Sequence, residues 1–111
     1  MKYVNEKDFQ YRGGESGVKY VMRGPSIDWG LILLKPGEKM AENAHGHNLL
    51  DETFFFVEGD GIMTVDNNEF VALEGSVFLV EPTELHNIRN DSDKSIKIVF
   101  IKGDYKPDDK Y

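Results

Sequence analysis

The chain contains no cysteine, and basic residues and long apolar runs are scarce. Without cysteine there are no disulfides, thiolate metal ligands or catalytic thiols, which fits a reducing compartment. Only 13 lysines and arginines stand against 20 acidic residues, and the formal net charge is -7. Nucleic acids and anionic membranes select basic surfaces, so we expect neither as a partner.

The sequence also lacks any apolar stretch that could cross a bilayer, since its longest apolar run is WGLILL. Its first ten residues, MKYVNEKDFQ, lack the apolar core of a signal peptide. A cytoplasmic location is therefore expected. With 111 residues, 40% hydrophobic and 30% charged, the chain is expected to form one domain around a single core.

Short strand patterns dominate what is present. Apolar and β-branched runs separated by turn residues predict strands at 18–22, 27–34, 52–57, 61–65, 69–73, 76–80, 85–89 and 94–101. Asn67-Asn68 predicts a two-residue hairpin turn, because asparagine tolerates positive φ. Eight short strands at regular spacing predict an all-β sandwich or barrel.

This pattern divides the chain into three parts. Residues 1–17 are expected to form an N-terminal segment, either with a short helix near residues 5 to 10 or as an exchanged strand. Residues 18–102 would form the barrel, and residues 103–111 a polar C-terminal tail.

The histidines carry the chemistry. His45 and His47 flank Gly46, and in an extended chain residues i and i+2 project from the same face. Two imidazoles placed in this way can bind one ion, each at about 2.1 Å. Glu52 follows after a short connection, and His86 is the remaining histidine.

His45, His47, Glu52 and His86 are the four candidate ligands. Three neutral imidazoles and one carboxylate suit a divalent transition metal, with one or two positions left open in a five- or six-coordinate site. The alternative is that the two close histidines lie in a solvated loop and that Glu52 is a surface charge.

These residues resemble the two sequence motifs of the cupin superfamily. The first motif, H-x-H-x3–4-E-x6-G, is matched by His45, His47, Glu52 and Gly59. The second, G-x5-P-x-G-x2-H-x3-N, is approached by GSVFLVEPTELHNIRN, with Gly75, Pro82, His86 and Asn90. The resemblance covers residues 27–102, and every histidine of the chain falls on a motif position.

Two departures from the motifs fall outside the ligand positions. Gly37 lies farther ahead of His45 than usual, which lengthens the intervening loop. Thr83 and Glu84 stand where proline and glycine are typical, so this turn is expected to adopt another conformation.

The resemblance implies a cupin-type jelly-roll β-barrel that holds one divalent transition metal (Mn, Fe, Zn or Ni) on the four candidate ligands. It does not specify a reaction, because cupins include dioxygenases, decarboxylases, isomerases and binding proteins. We expect a metal-dependent, dioxygenase-like enzyme acting on a small oxygen-rich or carboxylate substrate, because the sequence shows no acid–base pair. The alternatives are a non-catalytic ligand-binding or sensing module, an isomerase or decarboxylase with the metal as Lewis acid, and a structural barrel with an empty site.

Strand alternation predicts which side chains surround the metal. If Glu52 and His86 face inward, the inward pocket candidates are Phe54, Phe56, Ile88, Trp29, Ile98 and Phe100. Phe55 and Val57 would then face outward and need cover, which predicts a homodimer.

Overall fold

The computed structural model describes residues 1–47 and 50–103 of the chain. It contains eight strands: β1 (Gly17–Arg23), β2 (Ile27–Leu34), β3 (Asp51–Glu58), β4 (Gly61–Val65), β5 (Asn68–Ala72), β6 (Val77–Val80), β7 (His86–Arg89) and β8 (Ile96–Gly103). Each lies on a predicted strand. Within the described residues the helical content is one 3-10 turn, Glu6–Asp8, where a short helix was predicted. The predicted C-terminal tail falls outside the described residues beyond Gly103.

The strands form two antiparallel sheets that enclose the core, the all-β jelly-roll architecture that the sequence predicted. The five-stranded sheet has the order β1-β2-β8-β3-β6, and the three-stranded sheet has the order β5-β4-β7. The hairpin between β4 and β5 turns at Asp66 and Asn67, whose φ angles are 47° and 67°. The predicted Asn67-Asn68 turn is therefore wrong by one residue, because Asn68 already pairs with Val65. A two-residue turn of this kind requires positive φ at both central positions, and aspartate also adopts it.

The core is built from the inward side chains of both sheets. The buried cluster consists of Ile32, Leu34, Phe54, Phe56, Met63, Ala72, Val80, Ile88, Ile96, Ile98 and Phe100. Alternation along β3, β7 and β8 therefore predicted the inward faces of these strands correctly. The aromatic side chains of β3 and β8 lie on the same inward face of the sheet as Glu52 and form an apolar surface next to it.

The predicted inward position of Trp29 is wrong. On β2 the core side chains are Ile32 and Leu34, so the even-numbered residues of this strand face inward and Trp29 faces outward. Trp29 pairs with Ile101 on the outer face of the sheet. Gly30 takes the inward place next to it, where an added Cβ would lie 2.0 Å from the Lys19 carbonyl oxygen. Only glycine therefore fits at this point of the barrel wall.

The N-terminal segment covers one part of the outer face. Lys19 pairs with Leu31 on this face, and its ammonium donates to the carbonyls of Glu6 at 2.7 Å and Phe9 at 3.1 Å. It also pairs with the Glu6 carboxylate at 2.8 Å and lies 4.3 Å from the centroid of the Tyr11 ring. The hydrogen bond from Lys19 lowers the pKa of Glu6 below its usual value. Lys19 therefore fastens the segment to its own chain.

The rest of the outer face carries exposed apolar side chains. We call it the outer patch: Phe55, Val57, Val77, Leu79 and Ile101, which are 41, 36, 62, 59 and 39% exposed. The predicted outward orientation of Phe55 and Val57 is confirmed. Such a contiguous apolar surface is typical of an interface.

No helix in the described parts of the chain has both the length and the apolar character that a transmembrane span needs.

Replacing Lys19 by methionine should detach the N-terminal segment. Hydrogen bonds from a charged group contribute roughly 1.5–3 kcal/mol, and we expect a loss of that size in the free energy of unfolding, measured by urea denaturation. Hydrogen exchange at the amides of Arg12 and Gly13, which bond to Val18 and Ser16, should accelerate.

Lys35→Met is the matched control, because Lys35 pairs with Glu15 of the same segment in an exposed ion pair. Exposed ion pairs contribute little to stability, so this substitution should have a much smaller effect. Equal effects of the two substitutions would contradict the anchoring role of Lys19.

Candidate metal centre

A backbone bridge brings the two histidine-bearing segments together. The amide of His45 donates to the His86 carbonyl at 3.0 Å, and the amide of His86 donates to the His45 carbonyl at 2.7 Å. The two residues therefore lie directly opposite each other, and their ring centroids are 4.5 Å apart. Residues 44–47 do not form a regular strand; His45 belongs to an isolated bridge.

The turn at residues 81–84 fixes the position of His47. The amide of Thr83 donates to the His47 carbonyl at 2.6 Å. A Cβ added to Gly46 would lie 2.9 Å from the Glu84 carbonyl oxygen, so glycine is required between the two histidines for this close packing. Thr83 has a φ of 74°, in the left-handed region that glycine favours. Threonine therefore takes a left-handed conformation here, and the expectation that this turn differs from that of the motif stays a prediction.

Strand register places Glu52 beside these histidines. Glu52 lies on the inward face of β3, opposite Lys102 of β8 and Val80 of β6. It is 3% exposed, and His86 is fully buried. One Glu52 carboxylate oxygen, Oε1, lies 2.8 Å from His86 Nε2 and 3.6 Å from His47 Nε2. The carboxylate is thus at the centre of the cluster.

The four candidate ligands converge on one point. They offer one atom each, and these atoms lie within 4.8 Å of one another. Atoms bound to one ion at about 2.1 Å can be no more than roughly 4.2 Å apart, so movements of a few tenths of an ångström would close the site. His47 Nε2 is buried and has no hydrogen-bond partner among the described residues. A buried, unsatisfied imidazole nitrogen aimed at a carboxylate fits a metal ligand.

The hydrogen bonds of His86 also fit a metal. Its Nδ1 lies 3.2 Å from the Glu84 carbonyl oxygen and its Nε2 lies 2.8 Å from the Glu52 carboxylate. Both neighbours are acceptors, and a neutral imidazole can donate to only one of them. With a metal on Nε2, Nδ1–H would donate to Glu84, which holds the tautomer that leaves Nε2 free to coordinate.

The electrostatics favour the protonation states that bind metals. Burial and the adjacent His86 lower the pKa of His45, which keeps its ring neutral. Burial opposes ionisation of Glu52, but its hydrogen bond with His86 and the charge of Lys102 outweigh it, and the pKa of Glu52 is lowered. Neutral imidazole and ionised carboxylate are the coordinating forms.

A cavity of about 230 Å³ opens beside His45 and Glu52. Two of the predicted pocket residues, Phe54 and Phe100, line it, together with Ile32 and Met40. The other inward candidates, Phe56, Ile88 and Ile98, belong to the closed core. Drug-sized ligands occupy pockets of about 300–1,000 Å³, so this cavity suits a smaller molecule.

Three polar residues of the cavity wall were missed or left open in the sequence. Arg12, Tyr20 and Lys102 line the cavity. Lys102 lies on the same face of β8 as Ile98 and Phe100, but the predicted strand ended one residue before it. The inward orientation of Tyr20 was not predicted, and nothing in the local sequence of Arg12 indicates the barrel interior.

A two-sheet all-β fold with an inward cluster of three histidines and one glutamate is consistent with a cupin domain. The family model for the cupin domain matches residues 30–102. The chain therefore belongs to the cupin family, and the predicted resemblance is confirmed.

Individual relatives support the fold. A solved structure from Thermus thermophilus has a TM-score of 0.76 at 19% identity and covers 93% of this chain and 97% of that one. A cupin-superfamily protein from Silicibacter pomeroyi, described as a sugar phosphate isomerase, has a TM-score of 0.67 at 20% identity and covers 73% of this chain and 52% of that one. An uncharacterized protein from Methanocaldococcus jannaschii is 33% identical over 55 residues, which cover 50% of this chain but only 44% of that protein.

Replacing His47 by alanine should separate metal binding from folding. Its Nε2 has no hydrogen-bond partner among the described residues, so stability in the presence of a chelator should change by less than about 1 kcal/mol. The thermal stabilisation produced by added Zn²⁺ or Mn²⁺ should fall as the metal affinity drops at least about tenfold, which is roughly 1.4 kcal/mol.

Glu81→Gln removes an exposed carboxylate from the adjacent turn and serves as the control. His86→Ala should lose metal affinity and stability together, because His86 is fully buried. Full metal content in either histidine variant would show that the residue is not a ligand.

Proposed function

We propose that this cupin is a metal-dependent enzyme that acts on a small, oxygen-rich substrate. The observation that carries the proposal is that two members of a partly buried three-histidine, one-carboxylate cluster line a small cavity. His45 and Glu52 belong both to the four candidate ligands and to the cavity lining. A substrate in the cavity would therefore lie next to the metal. The metal would be a single Mn, Fe, Zn or Ni ion, all of which suit imidazole and carboxylate ligands.

When bound, the ion would supply a net positive charge of about one and open positions for anionic oxygen ligands, because only one of its protein ligands is charged. The chain's own residues would do the rest. Phe54 and Phe100 would exclude water from one side of the substrate, which strengthens every electrostatic interaction inside the cavity. His86, held by Glu84, would fix the orientation of the ligand set.

Dioxygenase-like chemistry was favoured because the sequence shows no acid–base pair. One contact supports a second candidate, a Lewis-acid isomerase or decarboxylase. Lys102 donates a short hydrogen bond to the Tyr20 hydroxyl at the cavity wall, so two groups able to carry a proton lie beside the substrate volume. The Silicibacter pomeroyi protein described as a sugar phosphate isomerase shares the fold. A cavity that binds its ligand without turnover is the remaining alternative.

Turnover by metal-loaded protein would test the proposal. Protein loaded with Fe²⁺ or Mn²⁺ would be incubated with a panel of small keto acids, hydroxy acids and sugar phosphates, while an oxygen electrode and proton NMR record the products. We expect metal-dependent conversion of at least one class, with at least 100-fold less in His47→Ala. Oxygen uptake would indicate the dioxygenase-like reaction, and conversion without oxygen the Lewis-acid reaction. Binding without conversion across the panel would contradict an enzyme and favour the binding module.

We also propose that two copies of the chain associate through the outer patch. The patch consists of uncharged side chains, whereas the chain as a whole carries a formal net charge of -7. Two like-charged copies meet with least repulsion through an uncharged surface, and a self-complementary patch produces a closed twofold dimer. A cytoplasmic location stays a prediction from the sequence.

Analytical ultracentrifugation should give a dimer at micromolar concentration, and Val77→Lys should convert it to a folded monomer. Val77 is 62% exposed within the outer patch, and Val71, which is 69% exposed on the other sheet, provides the matched control Val71→Lys. A monomeric wild-type chain, or equal dissociation by both substitutions, would contradict this interface.

A further inference from the structure

The cavity beside the four candidate ligands is also lined by hydrogen-bond donors and positive charge. Arg12, Tyr20 and Lys102 all line the cavity. We propose that they form a subsite for an oxyanion group, a carboxylate or a phosphate, of the small molecule that binds there. This inference rests on the proposed function, because the other end of the bound molecule would contact the metal. The subsite itself consists of side chains of the chain.

In the part of the chain that the structure describes, Arg12 differs from the other arginines in having no acidic partner. Arg23 pairs with Asp28 at 3.2 Å, and Arg89 pairs with Glu69 and Asp91 at 2.8 and 2.9 Å. Among the described residues, no carboxylate lies within ion-pair distance of Arg12. Its guanidinium carbon lies 5.4 Å from the centroid of the Tyr20 ring, at the cavity. A planar guanidinium whose donors are not used by the protein is suited to bind a carboxylate or phosphate in bidentate geometry.

Lys102 and Tyr20 supply the adjacent donors. A lysine ammonium can only donate, so Tyr20 Oη accepts the short hydrogen bond from Lys102. The hydroxyl hydrogen of Tyr20 is then directed elsewhere, and no acceptor for it lies within the described residues. Lys102 also lies 3.6 Å from Glu52 Oε2, which links this pair to the four candidate ligands.

The charge balance of the cavity is opposite to that of the chain. Two basic side chains, Arg12 and Lys102, and one acidic side chain, Glu52, line the cavity. The cavity wall therefore carries about one net positive charge, and about three with a divalent ion, on a chain with a formal net charge of -7. An acidic protein with a locally positive small cavity favours an anionic ligand over a neutral or cationic one.

The N-terminal segment delivers Arg12 to this subsite. The Arg12 amide bonds to the Val18 carbonyl at 2.9 Å and the Gly13 amide to the Ser16 carbonyl at 3.0 Å, which folds the chain back just before β1. Because Lys19 anchors the same segment through Glu6 and Phe9, the position of Arg12 depends on that anchor. The segment would therefore contribute to ligand specificity.

Anion binding to chelator-treated protein tests the subsite independently of the metal. Inorganic phosphate and malonate would be titrated separately by isothermal calorimetry at low ionic strength. We expect Arg12→Gln to weaken binding of the preferred anion at least tenfold, and Tyr20→Phe, which keeps the ring, to weaken it at least threefold. Which anion binds tighter would distinguish a phosphate-bearing from a carboxylate-bearing ligand.

Arg23→Gln is the matched control, because the Arg23 guanidinium lies 4.1 Å from the centroid of the same Tyr20 ring but pairs with Asp28. It should change the affinity less than twofold. Equal effects of Arg12→Gln and Arg23→Gln, or binding of neither anion by the wild-type chain, would overturn the subsite.

Metal-induced thermal stabilisation of the same variants separates the two proposals. Arg12→Gln should keep the full stabilisation by Zn²⁺ while losing anion binding. If the wild-type chain binds anions but no metal, the proposed function fails and the subsite stands. If it binds metal but no anion, the subsite fails and the metal centre stands.

Discussion

The reciprocal backbone hydrogen bonds between His45 and His86 are the constraint on which the candidate site depends. These residues are far apart in the sequence, and each lies at the end of a segment with little regular structure around it. Their bridge sets both imidazoles against the inward face of β3, where strand pairing has already fixed Glu52. Because Gly46 allows the 81–84 turn to pack closely, His47 joins the same point. Backbone pairing, rather than side-chain attraction, thus assembles the cluster. It is needed because moving a carboxylate and three imidazole rings out of water costs considerable desolvation free energy.

Much of this arrangement could be predicted from the sequence, because alternation is a strong signal where one face of a strand is buried. On β3 and β8 the inward residues follow a strict two-residue period, and that period correctly placed Phe54, Phe56, Ile98 and Phe100. On β2 the signal fails. The strand IDWGLILL is apolar on both faces, since the N-terminal segment covers part of its outer side, so the pattern does not determine which parity points inward, and Trp29 was misplaced.

Other features depend on contacts that no local pattern encodes. Arg12 reaches the cavity only because residues 11–18 fold back and Lys19 anchors the preceding turn. Lys102 followed the correct parity but lay just beyond the predicted end of its strand. The left-handed conformation of Thr83 was unexpected because threonine seldom adopts it; the conformation costs about 1–3 kcal/mol and is held here by a hydrogen bond to the segment that carries His47. The convergence of the four candidate ligands was thus predictable, whereas the polar residues that line the cavity beside them were not.

The site combines two chemistries in one small cavity: oxygen and nitrogen ligands for a cation, and donors for an anion beside them. The measurement that tests the central claim most directly is anomalous X-ray diffraction from crystals of Mn²⁺- or Zn²⁺-loaded protein. The account predicts one ion per chain, at about 2.0–2.2 Å from the ligand atoms of His45, His47, Glu52 and His86, with at least one further position facing the cavity. An ion bound elsewhere, or no ion at saturating metal concentration, would contradict it.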